Sequence, residues 1–189
     1  MNSKFFLSIF LFLAVFSCAI AQNSELIQSF DVEIALQKDR SIRVKENIKV
    51  TALGGKIKRG ITRSLPTYRR IDGQKFNTRY KNIKISRDGR EENYIKEKVN
   101  GDLIYYIGDR NVFLDPGTYN YTITYEVPNQ IVVGSEGVQL RWNAIGNDVI
   151  FESNHASVTI KADDEMGLID AKMYVGKYGS GEDLNRVEK

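Results

Sequence analysis

Strict alternation of apolar and polar residues constrains this chain more than any other feature. The runs Phe30–Leu36 and Tyr119–Val127 place an apolar or aromatic side chain at nearly every second position. Period-two alternation is typical of strands that bury one face. Turn-forming pairs such as Asn100-Gly101 separate the alternating runs. Further strands are predicted over residues 138–143, 149–160 and 168–175. The sequence therefore predicts an all-β fold, an antiparallel β-sandwich of roughly seven to nine strands, immunoglobulin-like in general architecture.

The N-terminus has the pattern of a cleavable signal peptide, which predicts export. Lys4 precedes an uncharged apolar run over residues 5–16, and Ala19-Ile20-Ala21 supplies the small side chains that signal peptidase reads. The apolar run is shorter than the roughly 20 residues of a spanning helix. Cleavage after Ala21 would leave residues 22–189 as one extracytoplasmic β-sandwich domain, with a polar tail from about residue 177. Lipidation of Cys18 after a lipoprotein-type signal is the alternative.

Cysteine count and net charge exclude several classes. Cys18 is the only cysteine, so the exported domain would have to fold without an intrachain disulfide. The formal net charge of +3 falls to about +2 without Lys4, and this near-balance argues against a nucleic-acid binder. No later segment is apolar enough to cross a membrane.

The inventory of reactive side chains argues against an enzyme or a metal protein. His155 is the only histidine and Cys18 the only cysteine. The chain therefore has too few of these residues for a His/Cys metal site, and a Ser–His–Asp triad has one candidate imidazole. The cluster Asp163-Asp164-Glu165 lacks the residue order of a calcium loop. The sequence therefore predicts no catalytic residue, no metal ligand and no cofactor.

Glu46 is out of place in its strand. It lies on the apolar face between Val44 and Ile48, where an unpaired carboxylate would be very costly to bury. We hypothesise that Arg63 or Arg59 pairs with it in a structural role.

Basic residues accumulate between Lys56 and Lys84. This segment contains ten Lys or Arg residues and one acidic residue, Asp72. This segment could bind anionic lipid head groups or an acidic protein partner, or it could be a solvated loop. The predicted interaction patch consists of Lys56, Lys58, Arg59, Arg63, Arg69, Arg70, Lys75 and Arg79.

Aromatic residues allow two interpretations. Tyr119, Tyr121, Tyr125 and Trp142 could form a carbohydrate-stacking surface or pack in the core. Their sharing of a strand face with Ile123 favours the core.

An ordered set of motifs resembles a known family. The motifs are Arg59-Gly60-Ile61-Thr62-Arg63-Ser64-Leu65-Pro66, Tyr106-Ile107-Gly108-Asp109, the run Pro116–Tyr125, Leu140-Arg141-Trp142-Asn143 with Gly146, and Val175-Gly176-Lys177-Tyr178-Gly179. Together they are similar to the extracytoplasmic domain of a bacterial predicted-membrane-protein family, the domain of unknown function 2207. The resemblance implies a β-rich outer domain followed by one or more transmembrane helices, and it implies no catalytic residues.

These observations favour a non-catalytic sensory or interaction domain of a membrane-anchored protein, periplasmic in a bacterium with two membranes. The expected partners are the membrane, through a downstream transmembrane segment or an anionic lipid surface, and possibly a protein, but not nucleic acid. Two alternatives stay open: a secreted structural or adhesive module, and a hydrolase of envelope carbohydrate that uses carboxylates.

Overall fold

The computed structural model describes residues 24–71, 74–134, 137–146 and 153–162. The predicted signal peptide with Cys18, the acidic cluster at 163–165, the strand predicted over 168–175 and the polar tail lie outside these residues.

The described residues form strands and loops. The strands are β1 (Leu26–Leu36), β2 (Ile42–Ala52), β3 (Ile61–Pro66), β4 (Tyr68–Ile71), β5 (Gln74–Asn77), β6 (Lys81–Arg87), β7 (Arg90–Glu91), β8 (Tyr94–Val99), β9 (Asp102–Ile107), β10 (Gly117–Val127), β11 (Ile131–Gly134), β12 (Gly137–Leu140) and β13 (Ala156–Lys161).

The larger sheet contains six strands in the order β13-β1-β2-β10-β6-β7. Every second residue of β2 is buried, as the alternation predicts for a strand with one face against a core. The β1–β2 hairpin turns at Asp39–Ser41, where Arg40 has a φ of 67°. The Asp39 carboxylate accepts hydrogen bonds from the backbone N–H and the hydroxyl of Ser41 at 3.0 and 2.6 Å, which stabilises the turn.

A smaller sheet, in the order β3-β9-β8, covers the larger one. Leu65 of β3 and Ile107 of β9 are buried in one hydrophobic cluster with Phe30 of β1 and Ile123 of β10. The core therefore lies between the two sheets, and the all-β prediction is confirmed.

One strand pair departs from the predicted antiparallel order. β1 and β13 run parallel, with Phe30 opposite Ala156. These strands are far apart in the chain, so no tight hairpin imposes an antiparallel pairing on them.

Strand number and two strand boundaries also differ from the sequence prediction. The described residues contain thirteen strands, more than the predicted seven to nine, because pieces as short as Arg90–Glu91 leave no visible alternation. The strand predicted over 138–143 ends at Leu140, and the one predicted over 149–160 begins, within the described residues, as β13 at Ala156.

The long central strands give the sandwich two distinct ends. At the Ala52 end, β2 finishes beside the beginnings of β1 and β10. At the Ile42 end, β2 begins beside Leu36 and Val127. A strand of 11 residues spans roughly 36 Å, so side chains at the two ends cannot share one small surface.

Candidate functional site

Glu46 and Arg63 meet in the core as a two-point ion pair. Arg63 Nε donates to Glu46 Oε2 and Arg63 Nη2 donates to Glu46 Oε1, each at 2.8 Å. The Glu46 side chain is fully buried, and that of Arg63 is 7% exposed. Because β2 carries the carboxylate and β3 carries the guanidinium, the pair joins the two sheets.

Three further contacts complete the hydrogen bonding of this pair. The Tyr125 hydroxyl donates to Glu46 Oε1 at 2.6 Å. Arg63 Nη1 donates to the Ile145 carbonyl at 2.7 Å, and Nη2 donates to the Ala144 carbonyl at 3.2 Å. Buried charges persist in proteins when they are paired and hydrogen-bonded in this way.

The electrostatics keep Arg63 charged and Tyr125 neutral. Burial by itself lowers the pKa of Arg63, but the adjacent Glu46 carboxylate outweighs it, and the pKa lies above its usual value. Burial, and then the Glu46 charge, raise the pKa of Tyr125 well above its usual value. Glu46 is therefore placed to stabilise the packing of the sheets, while Arg59, the other partner considered from the sequence, is exposed elsewhere.

The tyrosine stripe and Trp142 pack with this core. Tyr121 and Tyr125 are buried, and the ring of Tyr80 meets that of Tyr125 edge-on at 5.3 Å. Tyr119 and Trp142 are partly buried against the same cluster. Trp142 follows β12 in a loop, so it does not lie on a strand.

Tyrosine titration provides a first prediction. Burial raises the pKa of Tyr105 and of Tyr121 to about 12, against about 10 in an unfolded chain. The folded state favours the neutral phenols, so this contribution to the free energy of unfolding is complete below about pH 10 and is lost as the pH rises towards 12. We expect the melting temperature to fall over that window, with Tyr105 and Tyr121 ionising near pH 12 in an ultraviolet titration and Tyr125 ionising later still. Tyr121→Phe should remove one late step, and a single titration near pH 10 without destabilisation would contradict the prediction.

The predicted basic patch does not form one surface, and Arg63 does not belong to a surface at all. Arg63 is buried because Glu46 holds it in the core. The six residues of β3 separate the remaining members into two groups. A count of charges along the sequence could not show this division. It does not record that a strand separates the two groups, or which side of that strand faces the core.

The first group, Lys56, Lys58 and Arg59, is exposed at the Ala52 end. The second group follows the opposite end of β3 in and near the β4–β5 hairpin. There Arg69 donates to the Arg141 carbonyl at 3.1 Å, and Lys75 Nζ lies 4.2 Å from the centre of the Tyr68 ring. Arg79 is exposed, and Arg70 lies in β4 opposite Lys75.

Two loops at the Ala52 end, residues 53–60 and 108–116, form a surface that we call the tip. Val112 and Phe113 project from it with exposed fractions of 53% and 62%. The guanidinium carbon of Arg59 lies 4.1 Å from the centre of the Phe113 ring. Sequence reasoning missed these two side chains, although an apolar pair next to the turn Asp115-Pro116-Gly117 was a visible signal.

A glycine pair fixes the two loops of the tip against each other. Gly60 and Gly108 have φ values of 144° and 130° and lie opposite each other, one step beyond the Ile61–Ile107 pair. A Cβ on Gly60 would lie 1.8 Å from the Ile107 carbonyl oxygen, and one on Gly108 would lie 1.9 Å from that of Arg59. The backbones therefore approach as closely as only glycine permits.

The side chain of Glu25 binds the first loop of the tip, residues 53–60. Its carboxylate accepts hydrogen bonds from the backbone N–H groups of Leu53, Gly55, Lys56 and Ile57. Burial raises the pKa of Glu25, but these donors outweigh it, and the pKa lies below its usual value. No sequence pattern identified this role.

His155, the single histidine of the sequence, lies at the surface. His155 is exposed, with Nε2 3.7 Å from an Asp31 carboxylate oxygen. Among the described residues, no group of three or more His, Cys, Asp and Glu side chains is arranged to hold a metal ion.

Comparison with known proteins identifies the family. The model of the predicted membrane protein (DUF2207) N-terminal domain matches residues 26–183. The chain belongs to this family. Two of the motifs that carry the resemblance, those at 59–66 and 106–109, contain Gly60 and Gly108. These glycines lie where the backbones of the two tip loops approach each other most closely.

A curated relative agrees with this assignment. The uncharacterized protein YciQ of Escherichia coli is 35% identical over 147 aligned residues, and the match covers 74% of this chain and 23% of the relative. The chain thus spans about a quarter of the length of this relative. Among the described residues, no helix has the length and apolar character needed to cross a bilayer.

Solved structures resemble the chain only distantly. Native leukotriene A4 hydrolase from Saccharomyces cerevisiae is 12% identical, with a TM-score of 0.44, over 72% of this chain and 23% of the enzyme. A two-domain M1 zinc metallopeptidase mutant bound to L-arginine is 13% identical, with a TM-score of 0.40, over 85% of this chain and 38% of the peptidase.

Proposed function

We propose that this chain is a non-catalytic interaction or sensory domain, displayed outside the cytoplasm by a membrane-anchored protein. Its membership of a predicted-membrane-protein family supports the anchoring. The pattern of residues 1–21, typical of a signal peptide, supports export.

The observation that supports a non-catalytic role is that protein side chains bind the buried carboxylate of Glu46. Glu46 is the fully buried carboxylate of the core, and Arg63 and Tyr125 bind it from within the protein. An acid or base that turns over a substrate must come within hydrogen-bonding reach of it. Glu46 is instead enclosed between the sheets, where it holds strands together.

Labelling of cells tests the location. In the full-length protein, Glu97→Cys places a thiol on β8, all of which is exposed, and Val44→Cys places one in the core. We expect a membrane-impermeant maleimide to label Glu97→Cys in cells whose inner membrane is intact, above the level of the unsubstituted protein. Val44→Cys should react only after denaturation. The protein should also stay with membranes washed in alkali.

Two results would overturn the proposal. Labelling of Glu97→Cys only after lysis would place the domain in the cytoplasm. Release from the washed membranes would favour a secreted module.

A further inference from the structure

We propose that the tip is a docking surface for an anionic lipid bilayer, so that the domain rests with its Ala52 end on the membrane. This inference rests on the proposed function and adds the orientation of the domain and the residues that make contact.

The apolar part of the tip is Val112 and Phe113. With exposed fractions of 53% and 62%, they are the two most exposed large apolar side chains of the described residues. Burying apolar surface is the main driving force of association, and two adjacent apolar residues at the apex of a loop leave most of that surface in water. A protruding apex suits insertion between head groups rather than the filling of a pocket.

The basic part of the tip surrounds this apex. Lys58, Arg59 and Arg110 are exposed, and neither Lys58 nor Arg110 forms an ion pair with a described residue. Arg59 lies over the Phe113 ring, so a cation and an aromatic ring occupy the same level of the surface. Cations beside exposed apolar side chains are the combination that binds the interface of anionic membranes.

Two of the acidic groups of the tip, Asp109 and Glu25, are hydrogen-bonded to backbone N–H groups. Asp109 accepts a hydrogen bond from the Asn111 N–H at 2.8 Å, and Glu25 accepts from the first loop. Asp115 precedes the strand β10, and its carbonyl accepts a hydrogen bond from Tyr119 at 2.7 Å. The carboxylate of Asp115 is itself exposed, so the tip has four basic residues, Lys56, Lys58, Arg59 and Arg110, and three acidic ones, Glu25, Asp109 and Asp115.

The tip is also held in shape before it binds. The Leu114 N–H donates to the Lys58 carbonyl at 2.8 Å, which ties one loop to the other above the Gly60–Gly108 contact. Binding would then order few side chains, and an ordered surface pays less conformational entropy on association.

Charge complementarity favours an anionic bilayer over a soluble partner. Lys58, Arg59 and Arg110 are exposed around the apolar apex, and anionic lipid head groups carry the opposite charge over a broad surface. A bilayer can therefore contact these cations while Val112 and Phe113 enter its interface.

Vesicle flotation tests the proposal with residues 22–189 alone, which contain the family domain and its core without the membrane anchor of the full-length protein. One set of vesicles is phosphatidylcholine, and the other is an equal mixture of phosphatidylcholine and phosphatidylglycerol. We expect flotation with the anionic vesicles and a steep loss of binding as salt rises. Because each basic residue contributes about fivefold to binding, Lys58→Glu with Arg110→Glu should weaken it about 25-fold or more. Phe113→Ser should weaken it about tenfold or more, since it removes a buried aromatic side chain from the interface.

Matched variants away from the tip serve as controls. Lys96→Glu with Lys98→Glu makes the same charge change on exposed β8, and Val132→Ser replaces an apolar residue that is 44% exposed at the other end. These should bind like the unsubstituted protein, and circular dichroism should show all variants folded.

Three outcomes would overturn the proposal. They are no flotation, equal loss of binding in tip and control variants, and equal binding of all variants to both vesicle types. If flotation fails while Glu97→Cys is still labelled on intact cells, the docking surface is wrong and the proposed location stands. Capture of a soluble protein by the tip, without lipid binding, would assign the surface to a protein partner instead.

Discussion

Glu46→Gln should lower the free energy of unfolding by about 3–5 kcal/mol, because it leaves the Arg63 guanidinium buried without its counter-ion. Arg63 retains its hydrogen bonds to the Ala144 and Ile145 carbonyls, but neutral oxygens replace little of the lost charge interaction. For a domain of this size the melting temperature should fall by about 6–20 °C. Thermal unfolding followed by circular dichroism measures the shift.

Glu33→Gln is the matched control for this substitution. Glu33 also lies in the larger sheet and also binds a cation, Lys161, at 2.7 Å, but these side chains are 39% and 62% exposed. Exposed pairs contribute at most about 1 kcal/mol. Equal melting temperatures for Glu33→Gln and Glu46→Gln would show that the buried pair is not what holds the two sheets.

A double substitution separates the charge from the packing. Glu46→Leu with Arg63→Met removes both charges and should recover part of the stability lost in Glu46→Gln. Recovery should stay incomplete, because the Tyr125 hydroxyl and the two carbonyls lose their partners in the core. Double-mutant analysis of the unfolding free energies gives the coupling between the two residues.

Local pattern accounts for the parts of this molecule that could be predicted. Period-two alternation defines which face of β2 is buried, so Glu46 could be recognised as a carboxylate pointing inward. Its need for a cation then followed from the cost of burying charge, and the structure brings Arg63 to it from another sheet.

Features that depend on contacts between residues distant in the chain could not be predicted from the sequence. The eight basic residues of the predicted patch were interpreted as one surface, whereas β3 divides them and Arg63 is buried. Likewise, the pairing of β1 with β13 and the capture of the first tip loop by Glu25 join residues distant in the chain. No periodicity or turn signal encodes such contacts, because they depend on how the sheets stack.

The close approach of Gly60 and Gly108 in the tip also joins residues distant in the chain, and substitution of Gly60 should be strongly destabilising. Gly60→Ala should lower the free energy of unfolding by about 2–6 kcal/mol, which combines the strain of a φ of 144° with the overlap of a new Cβ and the Ile107 carbonyl oxygen. The carbonyl belongs to the backbone of β9, so the overlap can be relieved only if the β3–β9 ladder opens at this end. Gly89→Ala is the control, since its φ is also positive, at 79°, but nothing lies within 4 Å of the added Cβ. We expect Gly60→Ala to unfold at a clearly lower denaturant concentration than Gly89→Ala, with faster amide hydrogen exchange at Ile61 and Gly108. Equal midpoints would mean that positive φ alone determines the cost, and that the close backbone approach does not fix the two loops.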